Sequence, residues 1–552
     1  MSSDTLSSYR KTQRAPRSCR SCAARKVKCD KRLPCSTCIR QGKPETCSRE
    51  LVMVRGEVTR GKDPVKLPTY DELVQENQRL RTALEASQVR PASDLSLRRP
   101  RTVQKLLECH DPLEEMVFKS PPFSQVSRHR QGWSTVDVPC RKSSELLIAY
   151  DKKWNSWVHY ALEYPEFDRE HTQFMDNLEK GAVLSDCDPG WLSVYFSVIT
   201  AALLMMDDKE AREILPAGEA TPTFSNPCAH WYKTALFCLE EADYMRSSTI
   251  RPVQAIAVLG MCFHNFGDSG LYRHLWSCAI RIARILGLDG TRSPHPPTEL
   301  GLEAQRRLWW TLIICEWLAV PYYVPQVDEG DFNVPLPSAE SDIDGPHPVL
   351  YHIFMARTST VYHRFRSALR EGTQSVSEVV RLADDELAEV INTLPDHLQP
   401  DSGKTEEMQE LELIHPWIKW QRFDISLVLL HHRMRINRSL QKEWLAVPGL
   451  YDWARAVCIR SAMDIIWITH NWDQPVAMRR QWALSMHIFV AAIFLLRESH
   501  RAQAGAEVDF TDEVQLAIEY LDEVKSRNAI AERAVAILRS SLDETDTEAQ
   551  YS

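Results

Sequence analysis

The chain has 552 residues, 44% of them hydrophobic and sixteen of them tryptophan, which is enough apolar material for a sizeable core and excludes a wholly disordered polymer. The net charge of −9 is unevenly spread: residues 1–66 carry seventeen Lys plus Arg against six Asp plus Glu, a net of +11, which leaves −20 for the rest. A basic head on an acidic body is the pattern of a chain that meets nucleic acid with one end and does something else with the other. No apolar stretch is long enough to span a membrane. Leu192 to Met206 is short and runs into Asp207 and Asp208, and Leu484 to Leu496 contains His487 and stops at Arg497, so both are expected to be buried helices.

Residues 1–18 are polar and basic and are expected to be disordered. Residues 19–47 hold six of the fifteen cysteines, Cys19, Cys22, Cys29, Cys35, Cys38 and Cys47, in the spacing C-x2-C-x6-C-x5-C-x2-C-x8-C. Arg20, Arg25, Lys26, Lys28, Lys31 and Arg32 lie between them. Zinc takes four ligands in tetrahedral geometry, and short C-x2-C pairs suit it. One zinc would leave two thiols unused. Two zincs offer eight ligand positions, which six sulfurs fill only if two sulfurs bridge both metals. The stretch has too few apolar residues for a core, so metal binding should supply its folding free energy. The competing readings are a disulfide knot or scattered core thiols; no secretory signal precedes the cluster, and disulfides do not persist in a reducing compartment.

The two half-clusters, CRSCAARKVKC and CSTCIRQGKPETC, resemble the fungal binuclear zinc-cluster (Zn(2)-C6 fungal-type) DNA-binding family in both spacing and basic run. The resemblance implies two zinc ions per chain bridged by Cys19 and Cys35. Cys22 and Cys29 would complete one site, Cys38 and Cys47 the other, with a turn at Pro34. It also implies a short helix, Ala23 to Lys28, that enters the major groove and reads a CGG-type triplet. Guanine presents N7 and O6 there as acceptors, which Arg and Lys donors match. Arg25 and Lys26 occupy the family's base-reading positions. Lys28, Arg20, Lys31 and Arg32 are placed for phosphates, which set register and salt dependence. Six thiolates and two zincs sum to about −2, so the basic shell also offsets the cluster's own charge.

The segment 48–68 reads as a linker carrying Gly56, Gly61, Pro64 and Pro68. Residues 69–88 fit a heptad as a short coiled coil, with Tyr70, Asn77 and Leu84 at a and Leu73 and Leu80 at d. An asparagine at a favours a parallel two-stranded register, and two to three heptads are marginal alone. One triplet is too small to specify a genomic site, so a homodimer reading two half-sites is expected. The Pro-, Ser- and Arg-rich stretch 89–143 reads as a flexible linker.

From 144 to 540, long apolar segments keep a helical period. Tyr272, Trp276, Ala279, Ala283 and Leu286 share one arc of a helical wheel, with Arg273, His274 and Arg281 opposite, so a large all-α domain is expected. It resembles the middle homology domain of fungal transcription factors at Trp276 to Gly290, at Arg306, Arg307, Leu308, Trp309 and Trp310, at Asp331 to Pro337, at Asn392 to Pro395 and at Trp417 to Arg433. It departs from that family where an aspartate and a Gly-Arg-Pro motif are usual; here Cys315, Glu316 and Trp317 are followed by Pro321 to Pro325. Arg306 and Arg307 read as a structural pair meeting carboxylates while Trp309 and Trp310 fill the core, with a phosphate site as the alternative. His431 and His432 read as core or surface histidines. No HExxH, P-loop or GxSxG occurs, and the nine other cysteines form no metal-like pair. Glu507 to Val524 interleaves acids with Phe510, Val514, Ile518, Tyr520 and Leu521. It is either an activation segment or the last amphipathic helices of the domain, and 541–552 is an acidic tail.

The expected protein is mainly α: a small N-terminal binuclear zinc-cluster module, a short coiled coil and a large all-α regulatory domain. It is expected not to be an enzyme and to have no membrane partner. The family resemblance implies a nuclear, sequence-specific regulator of RNA polymerase II genes that binds double-stranded DNA and contacts the transcription machinery or coactivators. An activator of one pathway, such as a secondary-metabolite gene cluster, leads; the alternatives are a repressor and a ligand-sensing regulator whose helical domain binds a metabolite.

Overall fold

Two units divide the chain, residues 1–98 and 99–552. The computed structural model describes residues 10–11, 18–30, 35–43, 47–48, 52–54, 57–59, 112–119, 132–215, 226–246, 248–292, 300–319, 323–338, 347–400, 405–472, 474, 476–502 and 509–551. The heptad positions Tyr70, Leu73, Asn77, Leu80 and Leu84 fall outside the described residues, as do Lys31, Arg32 and Pro34.

The first unit contains helices α1 (Arg20–Ala24) and α2 (Ser36–Arg40) and strands β1 (Arg10–Lys11), β2 (Val52–Val54) and β3 (Glu57–Thr59). β2 and β3 pair antiparallel with Val54 opposite Glu57, and β1 lies parallel to β2 with Arg10 opposite Val52. The span read as a linker thus contributes two strands, β2 and β3, which carry the β-branched Val52, Val54, Val58 and Thr59, and the segment 1–18 expected to be disordered contributes β1, so both expectations are corrected there. The cysteine spacing carried no sign of this sheet.

The second unit is helical. Its amino-terminal half holds α3 (Pro112–Met116), α4 (Arg141–Trp154), α5 (Ser156–His159), α6 (Tyr164–Glu179), α7 (Pro189–Met205), α8 (Asp208–Ile214), α9 (Pro227–Glu241), α10 (Ile250–Leu259), α11 (Ser269–Ile285) and α12 (Leu302–Trp317). Then follow α13 (Val349–Glu371), α14 (Val376–Asn392), α15 (Glu406–Ile414), α16 (Trp417–Arg438), α17 (Gln441–Ala446), α18 (Asp452–Asn471), α19 (Trp482–Ala502), α20 (Thr511–Val524) and α21 (Ala529–Tyr551). α7 is apolar on every face and accordingly buried, packed by α4, α9 and α10. Pro189 opens it, and the Asp188 carboxylate caps it by accepting from the Gly190 and Trp191 N–H groups at 3.0 and 3.2 Å. A second layer forms where α16 packs on α18 and α18 on α19. The helix around Leu484 to Leu496 is longer than the sequence reading allowed: Trp482–His500 has the length and apolarity of a membrane span, but 83% of that window is buried inside the fold.

Three of the family-like stretches meet at one place. α11 ends at Gly287, φ +82°, where Leu288 N–H bonds back to the Ala283 carbonyl at 3.0 Å. The following turn docks on 331–337: Asn333 N–H reaches the Asp289 carbonyl at 2.9 Å, and a Cβ on Gly290 would lie 2.2 Å from the Asn333 carbonyl oxygen. Phe332 then packs against Trp309, Trp310 and Trp317 of α12, with ring centroids 5.5–5.9 Å apart. Where the sequence departs from the family, Glu316 accepts from the Gln326 N–H and the Tyr323 hydroxyl, both at 2.8 Å, and holds the loop after α12.

The expectation of a flexible linker across 89–143 is corrected at two places. Residues 132–140 pack against the domain, with Trp231 Nε1–H bonded to the Asp137 carbonyl at 3.1 Å. Residues 112–119 form a docked strap. Val117 and Phe118 are buried, Phe118 meets the His264 and Trp482 rings at 5.4 and 6.5 Å, and Arg533 donates to the Val117 carbonyl at 2.8 Å. Glu114, also buried, pairs with Arg438 and lies 3.7 Å from Arg435. The composition misled because a five-residue helix is too short to show a period.

Candidate metal centre and nucleic-acid interface

Each C-x2-C pair starts a short helix, and its first thiol caps that helix. Cys19 Sγ accepts from the Cys22 N–H at 3.3 Å, and Cys35 Sγ accepts from the Cys38 N–H at 3.4 Å. All six thiols are buried. Two sets of four lie with their sulfurs within 4.8 Å of one another: Cys19, Cys22, Cys29 and Cys35, and Cys19, Cys35, Cys38 and Cys47. Cys19 and Cys35 belong to both sets. Sulfurs bound tetrahedrally at about 2.3 Å from a zinc stand about 3.8 Å apart. Cys19 and Cys35 are 3.8 Å apart, Cys22 and Cys35 3.5 Å. The donor set therefore fits metal ions. No other grouping of metal-ligating side chains occurs among the described residues.

Without a metal the thiols compete for protons. Burial, with the neighbouring thiols, pushes Cys22, Cys38 and Cys47 up to about 12. Burial also works against the Cys35 thiolate, but the Cys38 N–H and the surrounding thiols outweigh it and bring Cys35 down to about 6. Such a knot of thiols, with no apolar core around it, is held together by what the sulfurs bind.

The helices end alike. After α1, Lys26 N–H bonds to the Ala23 carbonyl at 3.2 Å and Val27 N–H to Cys22 at 3.1 Å; after α2, Gly42 N–H bonds to Ile39 at 2.9 Å and Lys43 N–H to Cys38 at 3.1 Å. Both are Schellman endings with a left-handed residue at the turn, Lys26 at φ +54° and Gly42 at φ +66°. The helix expected over Ala23 to Lys28 is thus corrected: it spans Arg20–Ala24, because the chain must turn at Lys26 to return Cys29 to Cys22.

Arg20, Arg25, Lys26 and Lys28 are all exposed on this turn and helix. They are not equivalent. Arg25 donates from Nε to the Ser21 carbonyl at 3.0 Å, and its Nη2 lies 3.7 Å from Cys38 Sγ, so its guanidinium is turned toward the thiols. Thr37 Oγ1 bonds to the Lys28 carbonyl at 3.1 Å, Asp30 Oδ2 accepts from the Ser36 N–H at 3.0 Å, and Arg20 N–H reaches Ser48 at 2.7 Å, which closes the module on itself.

The other motifs are structural. Arg306 pairs with Glu303 at 3.1 Å, Arg307 lies 3.8 Å from the same carboxylate, and Trp309 and Trp310 are buried. His431 and His432 are buried, with His432 Nδ1–H bonded to the Val428 carbonyl at 2.8 Å. Phe510, Val514, Ile518, Tyr520 and Leu521 are all buried along α20 and the residue before it, so the apolar half of the possible activation segment belongs to the core. Of the other cysteines, Cys228, Cys238, Cys262 and Cys458 are buried while Cys140 is exposed.

No family profile matches the chain. It is similar to the probable transcription factor lepB of Aspergillus flavus, 22% identical over 452 residues that cover 74% of this chain and 77% of that protein. It is similar to the agnestins biosynthesis cluster transcription factor AgnL11 of Paecilomyces divaricatus, 19% identical over 608 aligned positions, 97% of this chain and 86% of the relative. A shorter match, 32% identical over 145 residues, joins 22% of this chain to 20% of the aspyridones cluster regulator apdR of Emericella nidulans. A chain in the structure of the K. lactis CBF3 core shares the fold, with a TM-score of 0.51 at 12% identity over 80% of this chain and 89% of that one. The chain is a homologue of fungal transcription factors, and its N-terminal cysteine cluster fits a zinc cluster.

Proposed function

We propose that the protein is a nuclear, zinc-dependent, sequence-specific transcription regulator, not an enzyme, that acts as a homodimer on paired CGG-type half-sites and activates the genes of one secondary-metabolite pathway. The observation that carries this is the pair of four-thiol sets sharing Cys19 and Cys35 beneath an exposed basic turn. Zinc, when bound, supplies the cross-link that a hydrophobic core would supply elsewhere. Cys22 and Cys29 would hold one ion, Cys38 and Cys47 the other, with Cys19 and Cys35 in common. All six thiolates are then ligands, which leaves no open position for chemistry at the metal.

Lys26 is the base reader: the tight turn sets it at the exposed tip of the helix end, and a point-charge donor suits guanine N7 and O6. Arg25 serves the cluster first, balancing thiolate charge at Cys38. Arg20, Lys28, Lys31 and Arg32 bind phosphate and contribute affinity that falls with salt. The names of the relatives support a pathway-specific role, and the coiled-coil heptads support the dimer.

Binding sites are to be selected from random duplex DNA with the full chain folded in zinc, with metal content measured on the same sample. Two zincs per chain and paired CGG-type triplets at fixed spacing are expected. One zinc per chain, or no selected sequence, would overturn the reading.

A further inference from the structure

α15 (Glu406–Ile414) reads EEMQELELI, four glutamates and no base in nine residues, and none of its side chains is buried. Thr405 caps it, with Oγ1 accepting from the Met408 N–H at 3.3 Å. An ion pair pins it to the fold, Glu412 to Arg422 of α16 at 2.6 Å, and Arg422 is itself fixed by donating from Nε to the His397 carbonyl at 2.9 Å. At about 3.6 residues per turn, Met408, Leu411 and Glu412 share the inward arc and are half-buried. Glu406, Glu407, Glu410, Leu413 and Ile414 take the opposite arc and are exposed.

Leu413 and Ile414 are 83% and 71% exposed, side by side. Single exposed apolar residues are ordinary on a protein surface, and Met245 and Leu302 are of that kind, each without an exposed large apolar neighbour in sequence. An adjacent pair on a helix already held in place is different, because a partner that covers it has little left to order. The glutamates beside the pair define that partner: they repel an acidic surface and attract a basic one. α20, the segment whose sequence suggested such a face, cannot present it, because its Val514, Ile518 and Leu521 are buried.

We propose that the outward face of α15 is the surface that docks the transcription machinery, and that it fits an apolar groove rimmed by lysine and arginine on a coactivator. Leu413 and Ile414 enter the groove, as the apolar face of a helix does in helix-in-groove recognition, and Glu406, Glu407 and Glu410 meet its rim. The inference rests on the activator reading above and places that activity within the helical unit, away from the acidic tail.

The test joins the full chain to a foreign DNA-binding module and measures a reporter gene under that module's site in fungal cells, with chain abundance followed by immunoblot. The parent is expected to activate. Leu413→Ala with Ile414→Ala is expected to cut reporter output by about fivefold or more, the effect of losing a central contact. Glu406→Gln, Glu407→Gln and Glu410→Gln together are expected to cut it by about threefold, and Val183→Ala, at an exposed apolar position elsewhere, to leave it intact. Melting temperature and light-scattering mass of the purified zinc-loaded variants are expected to match the parent. Full output from the Leu413→Ala, Ile414→Ala variant would overturn the docking face and leave the activator reading standing, whereas a silent parent would overturn both. Full output from the glutamine variant would overturn the basic rim. An equal loss in Val183→Ala, or a loss that comes only with a lower melting temperature, would make the effect unspecific and overturn the proposal. A fall in mass would overturn it too, by giving the face to a second copy of the chain.

Discussion

Lys26 and Gly42 occupy the same place in twin turns, sixteen residues apart, and only one of them carries a side chain. A non-glycine residue at positive φ costs about 1–2 kcal/mol that glycine does not pay, and such strain persists where something else is gained from it. In Lys26→Gly the relief should outweigh or balance the added freedom of the unfolded chain, which is about 0.5–1 kcal/mol. The zinc-loaded variant should melt no lower than the parent, and at most about 1 kcal/mol more stable, yet select no triplet from random DNA. Retained selection would remove Lys26 from the readers. The six thiols were legible as one group because their spacing places them together, and their division into two sets sharing Cys19 and Cys35 came with the family resemblance. The helix end was not, since Ala23, Ala24, Arg25 and Lys26 are all good helix formers and nothing local stops them. The one available signal lay in setting the half-clusters side by side, which puts Gly42 beneath Lys26.

Short elements decide what is domain and what is tether. The strap 112–119 looked like linker because Pro, Ser and Arg dominate its neighbourhood, yet it inserts an acid between two buried arginines. Removing one member of a buried ion pair leaves the other charge uncompensated, at a cost of about 3–5 kcal/mol. Glu114→Ala should lower the urea unfolding free energy of the full chain by that amount. A loss below about 1 kcal/mol, the range of exposed pairs, would mean the strap is only laid on the surface. At α20 the sequence offered two readings that share one pattern, because an amphipathic helix and an acidic–apolar activation segment both alternate charge with large apolar residues. Burial of Val514, Ile518 and Leu521 separates them, and no feature of the sequence alone could.

At the scale of the whole molecule, the helical unit is acid-sensitive by construction. Burial lowers His171, His363, His397 and His432 to about 4 and His264 and His352 to about 3, and it holds His487 well below the usual imidazole range. These rings stay neutral in the fold but take up protons below pH 6.5 once unfolded. Their contribution is therefore intact above pH 6.5 and lost as pH falls from there toward 4, at up to about 1.4 kcal/mol per pH unit for each ring. Urea midpoints should drop steadily between pH 7 and pH 5, and midpoints flat over that interval would contradict the neutral assignment. The all-α architecture was legible from its 3.6-residue period, and three of the five family-like stretches meet around Phe332, where their residues serve packing. The stacking of Trp154 on Trp420 was illegible because the two rings come together only through tertiary contact. The strap, finally, gives the helical unit two holds on the polypeptide that precedes it, one covalent and one not. A single cut between residues 120 and 131 would break the backbone without parting the molecule: the amino-terminal piece would remain as a bound guest, held by Glu114, Val117 and Phe118, and the two fragments would travel together.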